Sequence, residues 1–404
     1  MERQYAVADT GLAIFFAERG HGVGSLRNLE FRLPFMHHSA TMGLRHPEQF
    51  SEITPEWLTA VLREGGSCRA SNVKNIEMKP LGGAGVGFLS GVARLQVTYD
   101  VPEPDGPASA VVKLPTLTEE TRNIGDTFRA YEREARFYHE VMPKSRIRAP
   151  RCYYCHYDPE QARFVLVMED LSSLRPGDQV RGLTWEDALA ALRTIAPFHA
   201  QWWEHPALEA FTWMPLENLD LQHQFAKMWP AFRHDMYDRL MPEEIAIGDR
   251  LNWQGDRLAE LMRNVPRTIV HWDYRADNLI FDQPQAAEPV VVLDWQLAQR
   301  SMGAFDIARL FCGSVPGEIQ RSRHRQFLAA WHDELQRRGI TDYSLDLAWR
   351  HFQIALLVCL YIPVSFYRIG MAAGDRGCAL MNAMIFRYFR AAVETQALQV
   401  LDQG

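Results

Sequence analysis

From Ile53 to Gly66 the chain reads ITPEWLTAVLREGG, with Trp57, Leu58, Val61 and Leu62 recurring at helical spacing. Thr54 stands at the capping position, Pro55 at the first helical one, and Gly65 and Gly66 stop the pattern, so a short amphipathic helix is expected. The period then changes. Ala93, Leu95, Val97 and Tyr99 alternate with Arg94, Gln96 and Thr98, as in a strand; VPEPDGP marks a turn, and ASAVVKLP a further strand. Helical spacing returns over Leu117 to Val141, where Phe128, Tyr131, Ala135 and Tyr138 share a face. APRCYYCHYDPEQARFVLVMED reads as strand, Asp-Pro turn, strand. Beyond MEDLSSLRPGDQV long helical patterns take over: TWEDALAALRTIAPFHAQWWEHP, AIGDRLNWQGDRLAELMRNV, RQFLAAWHDELQRRG and DLAWRHFQIALLVCL. Only RTIVHWDYRADNLIFDQ and EPVVVLDWQLAQ interrupt them.

This order predicts an α+β chain of two lobes. A small antiparallel-sheet lobe covers residues 51–171 and a large helical lobe residues 172–404, after an extension over residues 1–50 without sustained period. The extension has an apolar run but no basic start or cleavage pattern, which makes it a poor secretion signal, and Met42 is a candidate start of translation. A hydrophobic content of 47% with 23% charged residues is that of a folded globular protein. The net charge of −7 argues against a nucleic-acid surface. IALLVCLYIPVSF falls short of the ~18 residues of a membrane span and carries Pro363, so it reads as a buried helix ended or kinked by proline. Six scattered cysteines predict a reduced, cytoplasmic setting. CYYCH, from Cys152 to His156, matches the pattern of covalent haem attachment, but its hairpin context and the lack of a second cysteine pair make these packing residues.

The chemistry is concentrated elsewhere. His271, Asp273, Arg275, Asp277 and Asn278 crowd one loop between apolar triplets, and Asp294 ends the VVVL run. His271, Asp273 and Asn278 carry the spacing of the kinase H-R-D-x-x-x-x-N loop. Taken singly, Asp273 reads equally as a turn cap, Asn278 as an Asx-turn residue and Asp294 as a strand end. Their order along the chain strengthens the chemical reading. LGGAGVGFLSG places Gly82, Gly83, Gly85, Gly87 and Gly91 between two strands, where backbone amides can approach phosphate oxygens. Lys113 lies inside an apolar strand and needs either solvent or a buried acid; Glu134 on the next helix offers one, with Glu132 the other candidate. Glycine loop, lysine, helical acid, a carboxylate for the attacking hydroxyl and two oxygen ligands for Mg²⁺ are the parts that phosphoryl transfer from ATP requires.

At these residues the chain resembles the aminoglycoside phosphotransferase and choline kinase-like superfamily, and within it the ecdysteroid kinase-like branch. The resemblance runs from about residue 50 to 400 and is carried by YEREARFYHEVMP, RFVLVMEDL, GDQVRGLTWEDALAALRTIAPFHAQWW, VHWDYRADNLIFD and VVVLDWQLAQRSMGAFDIARLF. It implies a bilobal protein-kinase-like fold and an ATP- and Mg²⁺-dependent transfer to a hydroxyl of a small molecule. By the same resemblance Gly83, Gly85 and Gly87 cover the nucleotide phosphates, Lys113 contacts them and Glu134 braces Lys113. Glu169 to Leu171 form a hinge for adenine, Asp273 is the catalytic base, Asn278 and Asp294 are the metal ligands, and His271 and Asp306 support the loop. Trp272 stands where the family usually has glycine, and its ring is expected to reshape the loop or wall the acceptor pocket. Arg275 reads as a loop-stabilising charge, with a γ-phosphate contact as the other reading. DWQ in place of the protein-kinase DFG fits a small-molecule kinase.

Aminoglycosides are polycations and require a carboxylate-rich pocket. The helical lobe instead carries Trp202, Trp203, Trp213, Trp229, Trp253, Trp331, Trp349, Tyr361 and Phe366, most of them at core positions. That supply suits a largely apolar, steroid- or terpenoid-like alcohol. Two alternatives stand beside it: an amino-alcohol or aminoglycoside-type acceptor held in an aromatic cage, and a nucleotide-binding pseudokinase of which Trp272 is the symptom.

Overall fold

The computed structural model describes residues 46–81, 90–115, 125, 128–161, 163–216 and 219–402. Nearly all of the expected extension lies outside them, as do Gly82, Gly83, Gly85 and Gly87.

Helix α1 (Pro55–Glu64) begins where its cap predicts, with the Trp57 amide donating to Thr54 Oγ1 at 3.2 Å. Strands β1 (Val73–Leu81), β2 (Ser90–Tyr99) and β3 (Ser109–Pro115) follow, then α2 (Ala130–Arg136), which continues as a π turn over Phe137–Val141. The hairpin β4 (Cys152–Asp158) and β5 (Arg163–Glu169) completes an antiparallel sheet in the order β1-β2-β3-β5-β4. Strand alternation then sorts the side chains. Ala110, Val112 and Leu114 of β3, with Val165 and Val167 of β5, pack with Leu58 and Val61 of α1. Phe164 and Leu166 pack on the other face with Tyr131, Ala135 and Tyr138 from α2 and its π turn. Lys113, between Val112 and Leu114 and opposite Leu166 in the register, is therefore directed to the α2 face.

The helical part contains β6 (Arg175–Pro176), α3 (Trp185–Trp202), α4 (Leu219–Met236) and α5 (Pro242–Arg263). Short strands β7 (Thr268–Val270), β8 (Leu279–Phe281), β9 (Val290–Val292) and β10 (Gln299–Ser301) come next. They form two small sheets, β6-β8-β9 and β10-β7, which flank the polar loop. The chain finishes with α6 (Ala304–Ser314), α7 (Gly317–Gln320), α8 (His324–Arg337), α9 (Leu345–Cys359), α10 (Tyr361–Ser365), α11 (Tyr367–Ala372) and α12 (Gly374–Glu394).

Several expectations change. Most of Leu117–Thr127 lies outside the described residues, and within the helix expected over Leu117–Val141 Arg129 takes a left-handed φ of 51° just before α2 begins at Ala130. In the stretch after MEDLSS, where no strand is expected, Arg175 and Pro176 pair with β8. Helices α4 and α12 were not foreseen, since Pro230 interrupts one and Gly374 and Gly377 open the other. Gly377 is required there by close packing, as a Cβ would sit 2.6 Å from Gly370 O. The apolar stretch around Pro363 is longer than it looked. Leu345–Ser365 suffices by length and composition to cross a membrane, yet 78% of its apolar window is buried in the interior, as befits a core helix. Cys152 and Cys155 sit in β4, and all six cysteines are free.

The helical core also encloses histidines. His351 on α9 shares a hydrogen bond of 2.9 Å between its Nδ1 and the Tyr343 hydroxyl, and burial, helped by Arg350, pushes its pKa down to about 4. A histidine depressed from 6.5 in this way keeps its full contribution above the unfolded value and loses stability as pH falls from 6.5 towards 4. His351→Gln should therefore lose less stability than the wild type between pH 6.5 and 4.5, as followed by urea unfolding midpoints. Equal losses in the two proteins would contradict this.

Candidate active site

The Lys113 side chain, 8% exposed, ends between two acids. Its Nζ lies 3.0 and 2.7 Å from the two Glu134 carboxylate oxygens and 2.7 Å from Asp294 Oδ1. Burial opposes the ammonium charge, but Asp294 and then Glu134 outweigh it and hold Lys113 above the usual lysine range. Two carboxylates sharing one ammonium cannot both be fully compensated. Burial pushes Glu134 up to about 7, with Lys113 opposing the rise and Asp294 adding to it. Asp294 keeps a 27% exposed side chain and therefore an open side. Glu132, the other candidate, pairs instead with Arg129 and Arg136 around its own helix.

Asp294 follows β9, whose register with β8 brings it to the polar loop. Leu279 pairs with Val292, and the Leu293 amide donates to Asn278 O at 2.9 Å, so Asn278 and Asp294 end adjacent antiparallel strands. Asn278 Nδ2 donates to Asp273 O and Oδ2, both at 2.9 Å, which assigns the amide orientation and leaves Asn278 Oδ1 as the outward oxygen. Gln296 Nε2 steadies the other Asp294 oxygen at 3.0 Å.

Asp273 itself is clamped. Arg309 Nη2 donates to Oδ1 at 2.6 Å, and Arg275 Nε to Oδ2 at 3.1 Å. Burial alone would raise this carboxyl; Arg275 and Arg309 overcome it and hold Asp273 well below the usual carboxylate range. Arg275 also binds Asp277 at 2.7 Å, which favours its role as a loop-stabilising charge. The loop backbone hangs from Asp306, which accepts the His271 amide at 2.7 Å and the Trp272 amide at 2.9 Å. His199 reaches the same carboxylate at 3.2 Å; because its Nδ1 accepts from Trp331 Nε1, the proton at Nε2 must point to Asp306. His271 is fully buried, its Nε2 2.7 Å from Leu293 O, and its ring packs on Trp295, which in turn stacks on Phe137 at 4.0 Å. It supports the loop and ties it to α2.

The braces behind the loop were missed in the sequence. Gln179 Oε1 accepts the Ala276 amide at 3.0 Å while its Nε2 donates to Gly313 O at 2.7 Å. From α12, Arg387 donates to Gln179 O at 2.6 Å and Arg376 to Asp277 at 3.3 Å. Arg376 and Arg387 lie outside the quoted runs and Gln179 inside GDQVRGLTWEDALAALRTIAPFHAQWW, but nothing in local spacing marks any of the three. In the segment expected to form a hinge, Glu169 N–H donates to Arg151 O at 2.9 Å, and Leu171 joins Ile280 of β8 and Val291 of β9 in a small apolar cluster.

A model of the ecdysteroid kinase-like family matches residues 84–340. The chain belongs to the ecdysteroid kinase-like family. Members are small-molecule kinases that phosphorylate hydroxyl groups. Among solved structures, a protein of Ralstonia eutropha assigned as an aminoglycoside phosphotransferase aligns with a TM-score of 0.52 at 16% identity, over 84% of this chain and 97% of its own. An ethanolamine kinase of Plasmodium vivax aligns with a TM-score of 0.48 at 11% identity, over 78% and 83%. A choline kinase of Streptococcus pneumoniae aligns with a TM-score of 0.45 at 15% identity, over 80% and 94%. The first of these likenesses establishes the bilobal kinase-like fold. No curated protein matches the chain.

This ecdysteroid kinase-like chain explains its own departure at Trp272. The residue has φ +70°, a left-handed conformation natural to glycine. An L-residue there costs ~1–2 kcal/mol. The ring offsets this by stacking flat on Phe305 of α6, with centroids 3.8 Å apart, and is buried. The ring thus packs into the interior behind the loop, and the expectation of an acceptor-pocket wall is corrected. Much of the aromatic supply of the helical lobe is likewise interior. Trp202, Trp213, Trp229, Trp331 and Tyr361 are buried, whereas Trp253 is 85% exposed. Trp272→Ala should lose about 3–5 kcal/mol in urea unfolding, the toll of deleting a buried ring. Trp272→Gly should be the more stable variant by about 1 kcal/mol, since it also relieves the strain. An alanine variant at least as stable as the glycine one would refute the strain argument.

Proposed function

We propose that this protein transfers the γ-phosphoryl group of ATP, together with Mg²⁺, to a hydroxyl of a small molecule. The observation that carries the reading is the meeting at Lys113 of Glu134 and Asp294, acids from separate segments, beside a loop that presents Asp273 and Asn278. In this reading residues 51–171 and 172–404 are two lobes with the nucleotide between them. Adenine lies against Leu171, Ile280 and Val291, with backbone groups of Glu169 to Leu171 at its edge. Lys113 holds phosphate oxygens, and Glu134 keeps it aimed.

Asn278 Oδ1 and the Asp294 carboxylate fit Mg²⁺, because both are hard oxygen donors and the Asn278 amide nitrogen is turned away towards Asp273. Bound there, the ion supplies charge neutralisation on the phosphate oxygens. Asp273, kept ionised by two guanidinium groups, accepts the hydrogen bond of the attacking hydroxyl and orients it in line. The transition state is loose, so positioning and charge stabilisation account for most of the acceleration. Six free cysteines support a reducing, cytoplasmic setting, and the net charge of −7 fits a small-molecule partner better than a nucleic acid.

For the acceptor we favour a largely apolar, steroid-like alcohol, the class to which the family's name points. ADP release from Mg-ATP should be measured over a panel of hydroxylated steroids, amino sugars, choline and ethanolamine. Turnover is expected with the steroid alcohols, and Asp273→Ala should cut it about 10³-fold while leaving ATP affinity unchanged. Turnover with amino-alcohols alone would transfer the acceptor to that class. Saturable nucleotide binding with no turnover for any acceptor would sink the kinase reading in favour of a pseudokinase.

A further inference from the structure

We infer that Arg309, held by Tyr388, is the positioning residue that sets the orientation of the Asp273 carboxylate for the acceptor hydroxyl. The inference rests on the reading of Asp273 as the hydroxyl-orienting group. Arg309 lies on α6, outside the loop and inside the run VVVLDWQLAQRSMGAFDIARLF, which by itself gives the residue no role, and its side chain is only 4% exposed. Its two terminal nitrogens divide their work: Nη2 donates to Asp273 Oδ1 at 2.6 Å and Nη1 to Tyr388 Oη at 2.6 Å. Nε has no partner among the described residues and Nη1 adds only a long contact to Met384 Sδ at 3.9 Å, so the bonds to Asp273 and Tyr388 do most to fix the guanidinium. Tyr388, on α12 and fully buried, donates in return to Arg309 O at 3.3 Å. The fold makes room for this contact at Gly313, one turn further along α6, where a Cβ would lie 2.1 Å from Tyr388 Oη.

A carboxylate gripped at one oxygen alone can rotate. Asp273 is gripped at both, because Oδ2 takes Asn278 Nδ2 and Arg275 Nε while Oδ1 takes Arg309. Arg275 and Asn278 belong to the loop itself and move with it; Arg309 is the one direct side-chain bond among the described residues that ties this carboxylate to a helix. A buried guanidinium is expensive to desolvate, and well-packed apolar residues usually stabilise a helix contact at least as well. Its presence here is accounted for by what it holds. Orientation of this kind acts on kcat, because a small misplacement of a reacting group lowers the rate without changing how the nucleotide binds.

The test uses the full chain and ADP release from Mg-ATP, with a polyhydroxylated steroid as acceptor and again with water alone. Arg309→Met should lower kcat about 100-fold, with the KM and dissociation constant for ATP unchanged. Tyr388→Phe, which removes one oxygen, should lower kcat roughly tenfold, the size of one lost charge-assisted hydrogen bond. Arg309→Lys should recover part of the Arg309→Met loss. Adding Tyr388→Phe to Arg309→Met should cause no further fall, because the tyrosine acts through the arginine. Thermal melts confirm folding, and if Arg309→Met does not fold, Tyr388→Phe alone decides. Wild-type kcat in the variants, or losses that simply add, would overturn the inference and leave the kinase reading intact. No ADP release by the wild type with water or with any acceptor of the panel would overturn both.

Discussion

An ammonium group inside a β-sheet can persist only if carboxylates come to it, and the architecture of this protein is arranged around that requirement. β3 is an interior strand, so Lys113 cannot escape to an edge, and the alternation of Val112 and Leu114 forces it to the α2 face. Helix α2 must then deliver Glu134, and the turn after β9 must deliver Asp294. Removing one partner from a buried pair of this kind costs ~3–5 kcal/mol, whereas replacing the whole set with apolar residues is often neutral or stabilising. Stability alone therefore does not account for the triad. The proposed phosphate contact does.

The same requirement sets how the lobes are joined. Trp295, next to Asp294, stacks on Phe137 of the π turn and packs against His271. The helix that carries Glu134, the turn that carries Asp294 and the loop that carries Asp273 thus share one aromatic contact. Strained backbone clusters here too, with Trp272 and Asp294 both left-handed, at φ 70° and 65°. Such conformations last only where the surroundings hold them, and Asp306, receiving two loop amides and His199, does much of that holding.

Where local physics governs, the sequence was legible. Period-two alternation exposed β2, β3 and the β4–β5 hairpin, and the Thr54-Pro55 cap and the glycine stop bounded α1. A lysine in an apolar strand pointed to a buried acid, loop spacing singled out Asp273 and Asn278, and the end of the VVVL run singled out Asp294. What escaped depended on distance. Gln179, Arg309, Arg376, Arg387 and Tyr388 gain their meaning only from residues far along the chain, and each reads locally as an ordinary helix or loop position. Helices α4 and α12 were hidden by Pro230 and by Gly374 and Gly377, because local propensity there yields to tertiary packing. The aromatic residues of the helical lobe misled for a related reason, since composition does not tell an interior ring from one lining a pocket.

The most direct measurement of the central claim is ATP affinity by calorimetry, with and without Mg²⁺, for the wild type and Asp294→Asn. If Lys113, Asn278 and Asp294 converge on one metal-bound nucleotide, Mg²⁺ should tighten ATP binding to the wild type, and the variant should lose at least about tenfold of that enhancement, the scale of one strong charge-assisted interaction. A variant that keeps the full enhancement would show that the ion is held elsewhere and would contradict the account.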